Sequence, residues 1–148
     1  MIRAAILRWA RARSPDFVIG GHEAPYLLRW WLLPRNPVFN VYVHQFLRSD
    51  EDRALHTHPW LFNASWLMEG NYREWTAAGA TERAAGDFKF RWGPAAHRIE
   101  LTHDVCWTLF ITGPRARKWG FLCPQGFVHW KLFTAADDKG AVGRGCDQ

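Results

Sequence analysis

Two histidines, His56 and His58, are the residues of this sequence whose type and spacing point most directly to chemistry. They lie in the segment LHTHPW at positions 55–60, which is interpreted as part of a β-strand. Residues two apart on a strand point to the same face, so both imidazoles would aim at one point, as a chelate requires. Imidazole suits zinc, iron, nickel and copper ions. Histidine pairs also occur on solvated strands, so the spacing alone is weak evidence for a metal site.

The histidine pair can bind a metal only if neighbouring strands hold it in place, and the sequence predicts many strands. Aromatic, β-branched and aliphatic residues recur at period 2, with turn signals about every 8–12 residues, which is typical of a sandwich or barrel. Residues 77–86 are small and polar and are predicted to connect two hairpins. The predicted strands are 26–33, 39–47, 62–75 with a bend at 69–71, 88–92, 97–102, 105–112, 118–122 and 128–133.

The two ends of the chain differ from the strand-rich middle. In residues 1–13, Ile2, Ile6 and Trp9 have helical spacing opposite arginines, which favours a short docked helix over a targeting or membrane-surface segment. Residues 135–148 are polar and glycine-rich and are predicted to form a flexible tail. The length of 148 residues, without a repeat or a long linker, predicts a single domain over 1–148.

The spacing around the histidines resembles the two motifs of the cupin superfamily. The first motif is glycine, five residues, HXH, three or four residues, glutamate, six residues and glycine; its HXH matches His56 and His58, and its last glycine matches Gly70. The second begins with a glycine, matched by Gly86, and contains a histidine, matched by His97. This resemblance implies an all-β fold, a cupin-type double-stranded β-helix (jelly-roll) barrel with a short N-terminal helix. It also implies that His97 joins the histidine pair as a third metal ligand.

The sequence departs from these motifs where the family has a carboxylate ligand. Asn63 takes the position of the motif glutamate, Asp50 that of the first glycine, and Leu101 that of the final asparagine. The implied metal ligands are therefore the three histidines, with Asn63 as a weak amide donor. Such a set leaves a divalent ion its full charge and open positions for water or an anionic substrate. It resembles the iron site of the thiol dioxygenases and implies Fe(II), with zinc, nickel or manganese as alternatives, unless the histidines are merely packed.

Two further residues are candidates for catalysis. Alternation along the strand that follows the histidine pair would point Arg73 inward, unless Gly70 resets the register. An inward Arg73 could hold a substrate carboxylate or phosphate by a bidentate contact. The alternative for Arg73 is an ion pair with Glu69 or Glu74 at the rim. His44 lies on the preceding strand with Tyr42 and Phe46 on its face. It could act as a fourth ligand or as a proton carrier, because an ordinary histidine has a pKa of about 6.5. The alternative for His44 is a hydrogen bond within the barrel wall.

Composition bears on the compartment and the partners. The net charge of +5 comes without a nucleic-acid-binding motif, so no nucleic-acid partner is predicted. No apolar run reaches the ~18 residues that span a bilayer, so no membrane partner is predicted. The cysteines, Cys106, Cys123 and Cys146, indicate neither a CXXC pair nor a disulfide framework, which favours the cytoplasm. Cys106 and Cys123 are interpreted as small buried hydrophobes.

The resemblance to cupins, together with these residues, leaves two classes of function open. The first is a mononuclear non-haem iron dioxygenase-like enzyme that acts on a small polar molecule. The second is a non-catalytic cupin module that binds a small ligand or a metal, and a sugar isomerase or epimerase-type cupin stands between them. The family resemblance also implies a homodimer, for which the apolar residues within 26–46 would suit an interface.

Overall fold

The computed structural model describes residues 1–20, 23–50, 54–136 and 141–147. These residues form two helices and twelve strands: α1 (Ile2–Arg11), β1 (Phe17–Ile19), β2 (Leu27–Trp31), β3 (Asn40–Phe46), β4 (Leu55–His56), β5 (Phe62–Glu69), β6 (Asn71–Thr76), β7 (Gly79–Ala84), β8 (Phe88–Trp92), β9 (Arg98–Leu101), β10 (Cys106–Thr112), β11 (Gly120–Cys123), β12 (Gly126–His129) and α2 (Trp130–Phe133).

The strands form two layers that enclose an interior. Six antiparallel strands make the larger sheet, in the order β1-β2-β3-β10-β5-β8. Two three-stranded sheets, β12-β11-β4 and β7-β6-β9, make the second layer. They are linked by an antiparallel bridge between His56 and His97, whose backbone groups exchange hydrogen bonds of 2.9 and 3.0 Å. The predicted all-β barrel with a short N-terminal helix is confirmed.

Apolar side chains occupy both faces of the larger sheet. The interior core joins the two layers through Leu27, Phe46, Leu67, Tyr72, Ile99 and Cys106. On the outer face, α1 buries Leu7 and Ala10 against Trp30, Val43, Met68 and Trp107. The docked helix is therefore present, although Ile2 is exposed. Within residues 26–46 the core buries Leu27, Trp30, Tyr42, Val43 and Phe46, whereas Leu33, Val38 and Phe39 are exposed. The homodimer through this segment stays a prediction.

Gly70 lies where the chain passes from the larger sheet to the second layer, between β5 and β6. Its φ is +82°, and a Cβ at this position would lie 2.5 Å from the carbonyl oxygen of Val105. Residues other than glycine rarely adopt this backbone conformation. The turn shifts the alternation by one residue, so Tyr72 and Glu74 point into the barrel and Arg73 points outward. The predicted inward position of Arg73 is therefore wrong.

Two predicted segments have a different structure. Residues 77–86, expected to be a connection, contain β7, which forms a hairpin with β6. This strand is almost entirely exposed, so it lacks the apolar alternation that marks a half-buried strand. The strand expected at 128–133 ends at His129, and its last four residues form α2.

The described residues of the C-terminal segment are attached to the barrel. Cys146 forms a disulfide with Cys123 of β11, with a Cα–Cα distance of 5.5 Å. The amide of Gly143 donates to the carbonyl of Phe133 at 2.9 Å. Of residues 135–148, predicted to be a flexible tail, 137–140 and 148 lie outside the described residues.

The disulfide corrects the interpretation of the cysteines. Cys106 is a buried free thiol, as expected, but Cys123 is half of a cross-link and not an isolated apolar residue. Nothing in the spacing indicated this pair, because 23 positions separate its members. The cysteine-based reason for a cytoplasmic location is thereby lost. Within the described ranges, none of the helices has the length and apolar character needed to cross a membrane.

Candidate metal centre

The three predicted histidines lie together where the two smaller sheets meet. His56 ends β4, His58 lies two residues beyond it, and His97 immediately precedes β9. One ring nitrogen of each lies within 4.8 Å of the others, and the Nε2 atoms of His58 and His97 are 2.9 Å apart. Nitrogens that share an ion at about 2.0–2.1 Å are separated by roughly this distance. The cluster is compatible with a single bound metal ion.

Burial keeps two of these imidazoles neutral. Desolvation is the largest cause that lowers the pKa of His58 well below its ordinary value, and the neighbouring histidines and arginines add to the effect. Desolvation also lowers the pKa of His97 to about 4, although the nearby carboxylate of Glu74 opposes it. Neutral imidazole has the lone pair that a metal requires. His58 and His97 therefore have the protonation state of metal ligands at neutral pH.

A buried carboxylate, Glu74, stands behind His97. Its Oε1 atom is 3.1 Å from Nδ1 of His97, at ion-pair distance but off the line of a well-aligned hydrogen bond. Arg91 Nε donates to Oε1 at 2.9 Å, and Arg83 Nε donates to Oε2 at 3.1 Å. Burial opposes ionisation of Glu74, yet His97 and Arg91 outweigh it and hold its pKa well below the usual range. A carboxylate behind a histidine fixes the ring and its tautomer, which leaves Nε2 for a metal.

A second carboxylate, Asp50, lies behind His56. Oδ2 of Asp50 is 3.9 Å from Nδ1 of His56. Asp50 is held in place by the amide of Ile99, which donates to Oδ2 at 2.6 Å, and by the hydroxyl of Tyr26, which donates to Oδ1 at 2.5 Å. Carboxylates thus lie 3.1 and 3.9 Å from the Nδ1 atoms of two of the three histidines. The sequence singled out neither carboxylate for this role, although Asp50 was noted as a departure from the first motif.

The histidines form part of the wall of a cavity of about 930 Å³. Much of the wall is aromatic and includes Tyr42, Trp60, Phe110, Trp119 and Phe121. Among the described residues the lining contains a single carboxylate, that of Asp50, but four arginines: Arg29, Arg35, Arg91 and Arg115. Glu74 neutralises Arg91. The other three arginines still outnumber the one carboxylate, so the positive charge of the wall favours an anionic or electron-rich ligand.

His44 faces the same cavity from β3. Its Nε2 accepts a hydrogen bond of 2.8 Å from Nε of Arg29, and its ring stacks on Phe110 with centroids 5.0 Å apart. Burial, followed by the charge of Arg29, lowers the pKa of His44 well below its ordinary value. In this orientation the Nε2 lone pair is occupied, which does not favour a fourth metal ligand. The contact matches the alternative, a hydrogen bond within the barrel wall.

The other two predicted site residues are not cavity-lining groups. Asn63 is fully buried on the inner side of β5, and neither of its amide atoms has a hydrogen-bond partner among the described residues. Its role as a ligand stays a prediction. Arg73 donates to Glu82 at 2.6 Å and lies 3.9 Å from Glu100 on the outer surface. It cannot anchor a substrate in the cavity, and its acidic partners are not the ones the sequence suggested.

Comparison with solved structures identifies the fold. A double-stranded β-helix protein from Klebsiella pneumoniae is 16% identical, with a TM-score of 0.54 over 76% of this chain and 96% of that one. A proposed mannose-6-phosphate isomerase from Ralstonia eutropha is 13% identical, with a TM-score of 0.54 over 67% and 92%. A cupin superfamily protein from Desulfitobacterium hafniense is 11% identical, with a TM-score of 0.51 over 60% and 77%. No protein-family model matches the sequence, and no curated protein does.

At these identities the structural likeness shows the fold alone. The chain has the cupin-type double-stranded β-helix fold, as the motif spacing implied. Within that fold it carries a group of three histidines that is compatible with a metal site.

Proposed function

We propose that this protein is a mononuclear metal-dependent enzyme of the non-haem iron dioxygenase type, acting on a small polar molecule. The observation that carries the proposal is the convergence of three histidine nitrogens, within 4.8 Å of one another, in the wall of a cavity of about 930 Å³. Cavities of about 300–1,000 Å³ are the size that binds small molecules.

The residues present fit a divalent transition metal. Two of the imidazoles are held neutral by burial, and carboxylates stand behind two of the three rings. Imidazole nitrogens suit Fe(II), and also zinc and nickel, while manganese prefers oxygen ligands. We choose Fe(II) because, when bound, it supplies the activation of dioxygen. Both oxygen atoms would enter the product, so the reaction would consume no separate reductant.

The chain's own residues would have three tasks in this reaction. His56, His58 and His97 would hold the ion, while Glu74 would keep the ring of His97 in position. The aromatic wall around Trp60 would exclude water from the reacting molecules. Positioning of the substrate beside the metal would supply much of the rate enhancement.

A sugar isomerase or epimerase-type activity is the second candidate. The cavity supports it, because an aromatic wall with a few polar groups also suits a small sugar derivative. The likeness to the Ralstonia protein is consistent with this candidate but shows only the fold.

Elemental analysis of untagged protein tests the metal site. We expect about one equivalent of a transition metal in the wild type, and its loss in His58→Ala. His103→Ala is the matched control, because His103 is exposed and contacts Asn71 at the surface. If anaerobic reconstitution with Fe(II) loads none of the proteins, the proposal is wrong.

Oxygen uptake by the Fe(II)-loaded protein tests the reaction. Uptake with a thiol or diketone substrate, present in the wild type and the control and absent in His58→Ala, is the expected result. A loaded protein that consumes no oxygen with any of these compounds but interconverts sugars would replace the first candidate by the second.

A further inference from the structure

Arg29 is the residue outside the histidine cluster whose surroundings point most clearly to a ligand. It lies on the inner side of β2, two residues beyond the core residue Leu27, and lines the cavity. Its guanidinium lies 4.7 Å from the ring centre of Tyr42. Nε donates to His44 at 2.8 Å, which fixes the plane of the group.

No described carboxylate forms an ion pair with Arg29. In contrast, Arg73, Arg83 and Arg91 each pair with a glutamate. Desolvation lowers the pKa of Arg29 to about 10, so it still carries its charge at neutral pH. A desolvated cation without an anion is costly, and such groups are usually paired. The missing anion is therefore expected to come from the cavity.

The free edge of the guanidinium has the geometry of a carboxylate site. Nε of Arg29 already donates to His44, so the two terminal nitrogens remain for a ligand. Their parallel N–H bonds match the two oxygens of a carboxylate. A phosphate dianion would call for a second cation, but the neighbouring Arg35 is exposed and stacked on Trp31 at 5.5 Å. One guanidinium with a neutral partner best fits a single negative charge.

Arg29 and the histidine cluster face the same space. The ring of Phe110 contacts both His44, the hydrogen-bond partner of Arg29, and His58, with centroid distances of 5.0 Å and 6.0 Å. A small molecule lying across Phe110 can therefore reach the guanidinium with one end and the histidines with the other.

We infer that Arg29 binds the carboxylate of the substrate, which makes the substrate class a small carboxylic acid oriented with its other end toward the three histidines. His44 is a positioning residue that holds the guanidinium. The inference rests on the proposed function for the identity of the reacting end, but the binding of an anion at Arg29 can be measured without any reaction.

Titrations with matched acid and amide pairs test the inference. The probes are benzoate against benzamide and acetate against acetamide, followed by calorimetry or tryptophan fluorescence on the full chain, both metal-free and zinc-loaded. The wild type is expected to prefer each acid over its amide. Arg29→Met is expected to weaken benzoate binding at least tenfold and to leave benzamide binding unchanged. Arg73→Met removes an outward-facing arginine and should behave as the wild type.

The outcomes are distinct. Equal binding of acid and amide by the wild type, or an unchanged acid preference in Arg29→Met, overturns the inference. Inorganic phosphate that binds more tightly than benzoate, and only when Arg29 is present, overturns the carboxylate assignment. Should Arg29→Met fail to fold, Arg29→Lys keeps the charge without the planar fork and is expected to reduce the acid preference. Acid binding without metal binding would refute only the proposed function; metal binding and oxygen uptake without acid binding would refute only the role of Arg29.

Discussion

Replacing Glu74 by glutamine is expected to weaken metal binding about 10- to 100-fold, because the carboxylate lies 3.1 Å from Nδ1 of His97. This loss corresponds to roughly 1.4–2.7 kcal/mol of binding free energy. A glutamine keeps the size of the side chain but supplies no charge to favour the ring orientation. Competition between the protein and a chromophoric zinc chelator at constant pH measures the change directly.

The same substitution has a second effect, on folding. Arg91 is almost fully buried against Glu74, and a buried cation that loses its partner costs about 3–5 kcal/mol of unfolding free energy. Glu74→Gln is therefore expected to lower the urea midpoint markedly. Adding Arg91→Met removes the orphaned charge and should restore part of the stability, while metal binding stays weak because no carboxylate faces His97.

The double variant separates positioning from general loss of structure. Recovery of zinc affinity together with stability would show that Glu74 acts only on folding, and the reasoning would be refuted. Zinc affinity within twofold of the wild type in the single variant would refute it as well. Glu82→Gln is the control, because Glu82 pairs with Arg73 on the outer surface. It should change stability by less than about 1 kcal/mol and leave zinc affinity unaltered.

Three other perturbations have defined outcomes. The pKa of His44 is lowered in the folded state, so below about pH 6.5 the unfolded chain takes up a proton that the folded chain does not. The free energy of unfolding therefore decreases as the pH is lowered. In His44→Gln, urea unfolding at several pH values should show this dependence reduced by up to about 1.4 kcal/mol per pH unit. Gly70→Ala is expected to cost at least about 2 kcal/mol, because it combines a positive φ with a Cβ 2.5 Å from a carbonyl oxygen. Gly86→Ala, at φ +110° but with open space around the Cβ, should cost less, and equal losses in thermal melts would contradict the steric account. Cys146→Ser should lower the unfolding free energy by about 3 kcal/mol, and the wild type in reductant should match it.

The parts of the fold that the sequence predicted correctly depend on local side-chain direction. Alternation at period 2 located most of the strands, because each half-buried strand shows one apolar face. The i, i+2 rule placed His56 and His58 on one face, and the motif spacing added His97. The same rule placed Tyr42, His44 and Phe46 on one face of β3, and all three line the cavity.

The errors have physical causes that alternation does not contain. The positive φ of Gly70 shifts the pattern by one residue, so Arg73 and Glu74 exchange sides. β7 is polar because both of its faces are largely exposed. Glu74 is buried because arginines from β7 and β8 reach it, a contact that depends on the strand order rather than on any spacing along the chain. In the sequence, Arg29 has no feature that separates it from other strand arginines, and its position in the cavity wall is visible only in the structure.

The backbone bridge between His56 and His97 has a consequence for how the protein responds to its ligands. These residues link the two smaller sheets through their amides, and their rings belong to the cluster that would hold the ion. An ion bound by both rings would therefore cross-link the two smaller sheets of the second layer. Free ion at 100 times its dissociation constant would stabilise the folded chain by about 2.7 kcal/mol. Hydrogen exchange at these two amides should slow accordingly. The availability of the metal would then determine how often the two smaller sheets separate.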